Sequence, residues 1–463
     1  MAKSPNILFL MTDQQRWDAM SAAGTGDAWV NTPNLDRIAA EGMRFSRCVT
    51  TTPICIPARV TLATGRYPHN TSVWNNVHYT LPTDMPNWMQ TLKGLGYRTS
   101  LFGKTHLHPH RGDLREREHL LHGYGLDDVN EIGGPRASAT VGSHMTAMWE
   151  ELDLLEAYRA DFRERFANKA HVARPSVLPL EHYADVYVGQ QAKGYLERYD
   201  RDQPWFCWVS FGGPHEPWDA PEPYASMYDP AQMPAPIERP ANANGRRSGW
   251  LDFYMDRSSP HFDEGDIGAM RANYAGNVTL IDDQIGEILG AIEKRGEMDN
   301  TIIAFTSDHG EMNGDWGLIY KMNFLDGALR VPLLFRTPET AANGGAGVSD
   351  APVENCDLGP TLVELAGAEL DHPQFGRSLA GMMNGAPPVR EDAISEFRGE
   401  FMLADNDWKI ALNREGQAYL LFHLAEDPHE TRNLAGNPDY HDTESELRLR
   451  ILERISTSQL KAP

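Results

Sequence analysis

The chain is poor in cysteine, with four in 463 residues, at positions 48, 55, 207 and 356. Thiols this few and this far apart fit neither a disulfide framework nor a zinc-ribbon spacing, and they point to a reducing compartment. Positive charge is also short: 42 Lys and Arg stand against 65 Asp and Glu, a net charge of −23. That excess excludes nucleic acid and anionic membranes as general partners. Any anionic ligand therefore needs a local cationic pocket. Long apolar runs are missing too. No stretch is long and apolar enough to span a bilayer. The run that ends at Met11 is too short for a signal peptide and has no small-residue cleavage site. Internal repeats and low-complexity segments are absent. These absences together predict a soluble, cytoplasmic protein without nucleic acid or membrane partners.

With 41% hydrophobic residues over this length, the chain can build a large core. Short apolar runs of the kind that form buried parallel strands recur at Asn6–Met11, Tyr97–Phe102, Trp205–Phe211, Thr301–Thr306 and Val331–Phe335. Helices are expected at Thr32–Ala39, capped by Thr32, at Leu81–Leu95, at Tyr183–Tyr199 and at Met270–Lys294. Residues 107–180 read as mostly helical, most clearly over Met145–Phe166. Residues 217–262, rich in Pro, Asn and Gly, read as a long surface excursion. From about residue 385 the texture changes to short strands (Ala393–Phe397, Phe401–Ala404, Trp408–Leu412, Ala418–Leu424) and a final helix, Thr443–Ser456. The expected division is therefore 1–384 and 385–463, with 107–180 and 217–262 as insertions that line a substrate pocket or an oligomer contact.

Four of the predicted strands end in polar residues: Asp13-Gln14, Lys104 with His106, His215, and Asp308-His309. In open α/β sheets ligands bind at the carboxyl ends of strands, so these tips should converge. Asp13, Gln14, Asp308 and His309 offer two carboxylates, an amide oxygen and an imidazole, a set suited to Ca²⁺, Mg²⁺ or Mn²⁺, with the imidazole favouring Mn²⁺. Lys104 and His106 lie two apart after a strand and share a face. Cys55 precedes Pro57, which suits the first turn of a helix, and Gly65 can end that helix. A thiol at a helix N-terminus ionises readily. Arg59, one turn on, can reach back toward it.

These residues also carry a resemblance. Cys55-Ile56-Pro57-Ala58-Arg59 with Thr64-Gly65-Arg66 resembles the sulfatase signature, with Ala58 where Ser is usual. Gly103-Lys104-Thr105-His106, Pro214-His215-Glu216-Pro217, Lys321 and the segment Gln417–Leu434 resemble further sulfatase motifs in the family's order. The resemblance implies an alkaline-phosphatase-like α/β sandwich: a large mixed, mostly parallel sheet flanked by helices, plus a small C-terminal antiparallel sheet. It implies a hydrolase of sulfate monoesters, in which a maturation enzyme oxidises Cys55 to formylglycine. One hydroxyl of the hydrated aldehyde attacks sulfur and the other expels sulfate. It assigns Asp13, Gln14, Cys55, Asp308 and His309 to one divalent cation, Mn²⁺ or Ca²⁺ ahead of Mg²⁺. Lys104, His106 and Lys321 would hold sulfate oxygens, with His215 at the leaving oxygen, Arg59 beside the nucleophile and Asn76 touching substrate.

Gln14, His309 and Asn76 lean instead toward the phosphonate monoester hydrolase branch, so phosphonate and phosphodiester hydrolysis remain open. An unmodified, inactive anion-binding protein is the reading from another class. Related hydrolases suggest a dimer or tetramer.

Overall fold

The computed structural model describes residues 4–460 except Asp27, His78, 169–170 and 241–248. Residues 1–3 and the middle of the 217–262 excursion lie outside the described residues.

The centre is a nine-stranded sheet built of β1 (Asn6–Asp13), β2 (Met43–Val49), β3 (Arg98–Gly103), β4 (Asp128–Glu131), β5 (Trp205–Pro214), β6 (Thr301–Ser307), β7 (Arg330–Val331), β8 (Leu333–Arg336) and β9 (Gly347–Glu354). The order is β4-β3-β5-β1-β6-β8-β2-β7, with β9 paired to β2. The first five strands of that order are mutually parallel. Their carboxyl ends therefore share one edge, and the register places them side by side: Asp13 opposite Pro214, Thr12 opposite Ser307, Gly103 opposite Ser210 and Glu131. β8 runs antiparallel to β6 and to β2, which makes the sheet mixed.

Alternation along β1 feeds both faces, as the period of a strand requires. Ile7, Phe9 and Met11 join Val60, Leu62, Trp88 and Trp208 on one side. Leu8 and Leu10 join Leu196, Ile281, Ile285, Cys207 and Val209 on the other. Helices Cys55–Thr64 and Trp88–Gly94 cover the first face; Ala184–Arg198 and Asp266–Lys294 cover the second. A four-stranded antiparallel sheet follows, made of β10 (Ala393–Phe397), β11 (Glu400–Ala404), β12 (Trp408–Leu412) and β13 (Ala418–His423), with the helix His441–Thr457 packed on it.

Several expectations are corrected. The helix expected over Leu81–Leu95 begins only at Trp88, because Asn87 accepts from the N–H groups of Met89 and Gln90 in a capping box with Gln90. Thr32 precedes its helix without capping it; the carboxylate of Asp282 takes the N–H groups of Asn34 and Leu35 at 3.0 and 2.9 Å. Met145–Phe166 is two helices, His144–Glu151 and Leu155–Asn168, broken where Asp153 is left-handed. The same region contains β4. The fifth predicted strand is split at Pro332 into β7 and β8. In the 217–262 excursion Trp218 and Ala220 are buried, and Gly249–Ser258 is helical. No helix among the described residues is long and apolar enough to cross a membrane.

Candidate active site

The helix Cys55–Thr64 is buried along its whole length and ends at Gly65, whose left-handed backbone (φ 66°) supplies the cap. Cys55 is its first residue. Asn76 accepts the N–H of Ile56 at 2.8 Å and so fixes this helix start. The helix points its N-terminus at the tips of β1 and β6. There, the ligand atoms of Asp13, Cys55, Asp308 and His309 all lie within 4.8 Å of one another, and all four residues are buried.

Each of these atoms is oriented by its neighbours. Asp308 Oδ1 accepts the backbone N–H groups of Gln14 and His309 at 3.0 and 2.9 Å. Arg59 donates from Nε to Asp308 Oδ2 at 2.8 Å and from Nη2 to Asp13 Oδ2 at 3.1 Å. Lys104 Nζ meets the same Asp13 oxygen at 2.5 Å. Asp13 Oδ1 is left buried with no hydrogen-bond partner. His309 Nδ1 lies 3.0 Å from the carbonyl of Gly310, which can only accept, so Nδ1 carries a hydrogen and Nε2 faces the cluster, 3.1 Å from the Cys55 sulfur.

Gln14 sits beside this group at a left-handed backbone position (φ 71°). Its amide oxygen accepts from Lys321, while its amide nitrogen donates to Glu216 and Glu311. Lys321 also donates to His215 Nε2 at 2.9 Å, and His215 Nδ1 donates to the carbonyl of Glu216 at 2.8 Å. Gly103 ends β3 at φ 113°, where a Cβ would lie 1.8 Å from the Ser210 carbonyl oxygen, so only glycine lets the chain turn Lys104 inward. His106 is left-handed as well (φ 56°); the strand alternation thus stops at β3, yet His106 still lines the cavity beside Cys55.

A cavity of about 330 Å³ opens over the cluster. Cys55, Asn76, Lys104, His106, His215 and Lys321 line it. Arg59 does not: its guanidinium is buried beneath, with Nη1 on the Lys104 carbonyl at 2.7 Å and on Ser210 Oγ at 3.1 Å. The expectation that Arg59 reaches back toward the thiol is therefore corrected. The two carboxylates compete for it and hold it under the site.

Electrostatics separate Cys55 from the other thiols. Burial pushes Cys48, Cys207 and Cys356 up, Cys207 to about 12, helped at Cys48 and Cys356 by the carboxylates of Glu354 and Asp357. Burial acts on Cys55 too, but Lys321, Lys104 and His309 outweigh it and hold the thiol well below its ordinary value. Burial also opposes the charge on Asp13, and Lys104, His215 and Arg59 together outweigh it, keeping the carboxyl low.

Sequence reasoning missed the acids and the cation around this core. Glu216 is buried against Arg136, which lines the cavity and stacks over Phe166 and Tyr320 at 4.6 and 5.0 Å from the ring centroids. Burial raises both Glu216 and Glu311; Arg136, His215 and Lys321 reverse this for Glu216, brought down to about 2, while Glu311 is left at about 7. Glu216 is next to a motif histidine and Glu311 is two residues past His309, so proximity was the available signal. Arg136 had none, because it lies beyond β4.

The strand order and the shared tip edge, read with solved structures, set the chain among the hydrolases of the alkaline phosphatase superfamily. The structure of a phosphonate monoester hydrolase of Agrobacterium radiobacter superposes with a TM-score of 0.79, at 27% identity, over 98% of this chain and 96% of that one. The family is closer still in sequence: the sulfatase profile matches residues 5–368, and an N-sulphoglucosamine sulphohydrolase C-terminal profile matches 314–457. The chain belongs to the sulfatase family, a sulfuric ester hydrolase by class. Among curated relatives, a multifunctional alkaline phosphatase superfamily protein of Trinickia caryophylli is 31% identical over 94% of this chain and 92% of its own length. A choline-sulfatase of Rhizobium meliloti (strain 1021) is 29% identical over 94% and 83%.

Proposed function

We propose that the protein hydrolyses sulfate monoesters of small molecules, with Cys55 converted to formylglycine and one divalent cation beside it. The observation that carries this is the convergence of Asp13 Oδ1, Asp308 Oδ1 and His309 Nε2 on the Cys55 sulfur under a cavity lined by lysine and histidine. The donor set fits a cation: Asp13 Oδ1 is orphaned and buried, and the neutral His309 ring, with its hydrogen on Nδ1, would present Nε2 as a ligand. Asp13, Asp308 and His309 would hold it, with Gln14 adjacent and the side chain of residue 55 completing the set. Mn²⁺ or Ca²⁺ suits these donors better than Mg²⁺, and such an ion would offset ester charge and favour an ionised nucleophile. Formylglycine, when present, supplies a hydroxyl nucleophile together with a second hydroxyl through which sulfate can leave. Cys55 is only 2% exposed, so a maturation enzyme would act on it before folding closes the site.

The chain's own groups divide the remaining work. Lys104, Lys321 and His106 face the cavity and bind the oxygens of the anion. His215, its Nε2 accepting from Lys321, positions that ammonium so that a lysine proton faces the departing ester oxygen. Arg59 holds the Oδ2 atoms of both carboxylates, which leaves their Oδ1 atoms on the cluster side. Asn76 secures the helix start that carries residue 55.

A second reading, hydrolysis of phosphonate monoesters or phosphodiesters at this site, draws on the Gln14 and His309 pair and on the structural likeness to a phosphonate monoester hydrolase. Lys104 and His106 favour sulfate, because an alkyl group on a phosphonate or diester would occupy their side of the cavity. The test is turnover of an aryl sulfate by the purified protein, with an aldehyde-reactive hydrazide used to score modification at residue 55. Turnover that tracks the hydrazide-reactive fraction supports the proposal; full turnover by Cys55→Ala overturns it.

A further inference from the structure

A second cluster of metal-ligating groups lies outside the catalytic set. His108, His110 and Glu131 bring their ligand atoms within 4.8 Å of one another. Glu131 is the last residue of β4 and stands opposite Gly103 in the register, so its carboxylate occupies the same sheet edge as the other tips. His108 and His110 follow the β3 tip as part of His106-Leu107-His108-Pro109-His110. Their side chains are 0% and 2% exposed, and that of Glu131 is 1%.

The hydrogen bonds define the cluster chemically. His108 Nδ1 lies 3.2 Å from the Pro109 carbonyl and His110 Nδ1 lies 3.1 Å from the Gly133 carbonyl. A carbonyl oxygen only accepts, so both Nδ1 atoms carry hydrogens. Both Nε2 atoms then face one carboxylate: His108 meets Glu131 Oε2 at 2.9 Å and His110 meets Oε1 at 3.2 Å, where the Thr105 hydroxyl also donates. Neutral imidazoles in this tautomer would aim lone pairs at carboxylate lone pairs. Something positive must lie between them: protons held by the rings or by the carboxylate, or one cation shared by all three groups.

Two protonated rings fit poorly. Their centroids would be 5.5 Å apart around a single carboxylate, away from water, with Lys104 near and the His106 ring stacked on His110 at 4.6 Å. A single cation avoids this repulsion. Nδ1–H groups donated to backbone carbonyls are also the outer-shell arrangement that orients metal-bound histidines. The observed separations of 2.9 and 3.2 Å are close to the ligand–ligand edge of about 3.3 Å in a tetrahedral zinc site.

We propose that His108, His110 and Glu131 form a zinc site, distinct from the catalytic cation, that anchors the wall of the cavity. Two imidazole nitrogens and one carboxylate are a zinc donor set, unlike the oxygen-rich catalytic set. The chain reaches the surface at Arg111 and Gly112, which gives the ion a route in. The bound ion ties the segment after β3 to the end of β4 and fixes the ring against which His106 stacks. Its action on catalysis is positional, through His106.

The experiment counts metals on the full-length protein after dialysis against Zn²⁺ and removal of loose ions by a weak chelator. Wild type should hold two cations per chain, and Asp308→Ala should keep one zinc. His110→Ala should lose that zinc equivalent while keeping the catalytic cation. Glu131→Gln, close in shape, should weaken zinc binding at least tenfold. Zinc-edge X-ray absorption of Asp308→Ala should show two imidazole ligands, a readout independent of activity. One cation in wild type with none in Asp308→Ala, or wild-type zinc content in both His110→Ala and Glu131→Gln, would leave the cluster an ion-pair network and overturn the proposal. Neither outcome bears on the catalytic cation.

Discussion

His309 Nε2 stands 3.1 Å from the sulfur of Cys55, with its other nitrogen tied to the carbonyl of Gly310. The imidazole is thereby fixed in the tautomer that offers a lone pair to a shared point. Asp13 and Asp308 reach the same point from β1 and from the β6 tip. The first prediction follows from that geometry. If residue 55 carries the nucleophile as proposed, Cys55→Ala should leave the far-ultraviolet circular dichroism unchanged and lower kcat about a thousandfold or more. Asp308→Ala should lose the catalytic cation and turnover together, read by elemental analysis on the same samples.

Arg59 joins the two carboxylates from below. Arg59→Ala would leave both carboxylates buried without their shared partner, and breaking a buried pair of this kind costs about 3–5 kcal/mol. The expected result is a clear drop in melting temperature together with loss of the catalytic cation. Arg59→Lys should rescue little of either, since one ammonium cannot reproduce the fork that reaches Asp13 and Asp308 at once.

Arg136 lines the cavity on a short helix after β4 and is held there by Glu216 and two aromatic rings. It is placed to meet the anionic or distal part of a substrate. Arg136→Ala should raise KM for an aryl sulfate about tenfold, the loss of one charge-assisted contact, and leave kcat within about twofold. An equal fall in kcat would move Arg136 into the chemical step.

Asp219 gives the pH prediction. Burial pushes its carboxyl up to about 7, against the pull of Arg165 and of the Tyr183 hydroxyl, which donates at 3.1 Å. The folded pKa lies above the unfolded one, so the folded state binds the extra proton between them. Stability is then highest below the unfolded value of about 4 and falls as pH rises through about 7, by about 4 kcal/mol at most. Asp219→Asn should flatten that fall, measured as melting temperature between about pH 5 and about pH 8.

Much of this site was legible in sequence because parallel strands advertise their tips. A short apolar run ending in Asp13-Gln14 or Asp308-His309 gives both the strand and the edge on which its last residues lie. The structure brings Asp13, Cys55, Lys104, His106, His215, Asp308 and His309 together at the shared tip edge, with Lys321, read from the sulfatase resemblance, beside them. What was missed lacked that signal. β4 is four residues of Asp, Val, Asn and Glu, too polar and short to read as a strand, and with it went Glu131 and the His108 and His110 cluster. β2 alternates in burial with Arg44 on its open face, and β9 is open over its first half, Asp350 included, so no apolar run marked them. The role of Arg59 was misjudged because helical spacing describes a helix alone. Two buried carboxylates from other strands decided where the guanidinium lies.

The central claim is that this site is built for sulfate. The measurement is kcat/KM for an aryl sulfate and an aryl phosphonate monoester that share one leaving group, in wild type and in the Lys104→Tyr, His106→Thr double variant. Both substrates carry one negative charge, so the ratio reads the shape of the cavity around Lys104 and His106. The account predicts that wild type prefers the sulfate and that the double variant shifts the ratio toward the phosphonate. A wild-type preference for the phosphonate would contradict it.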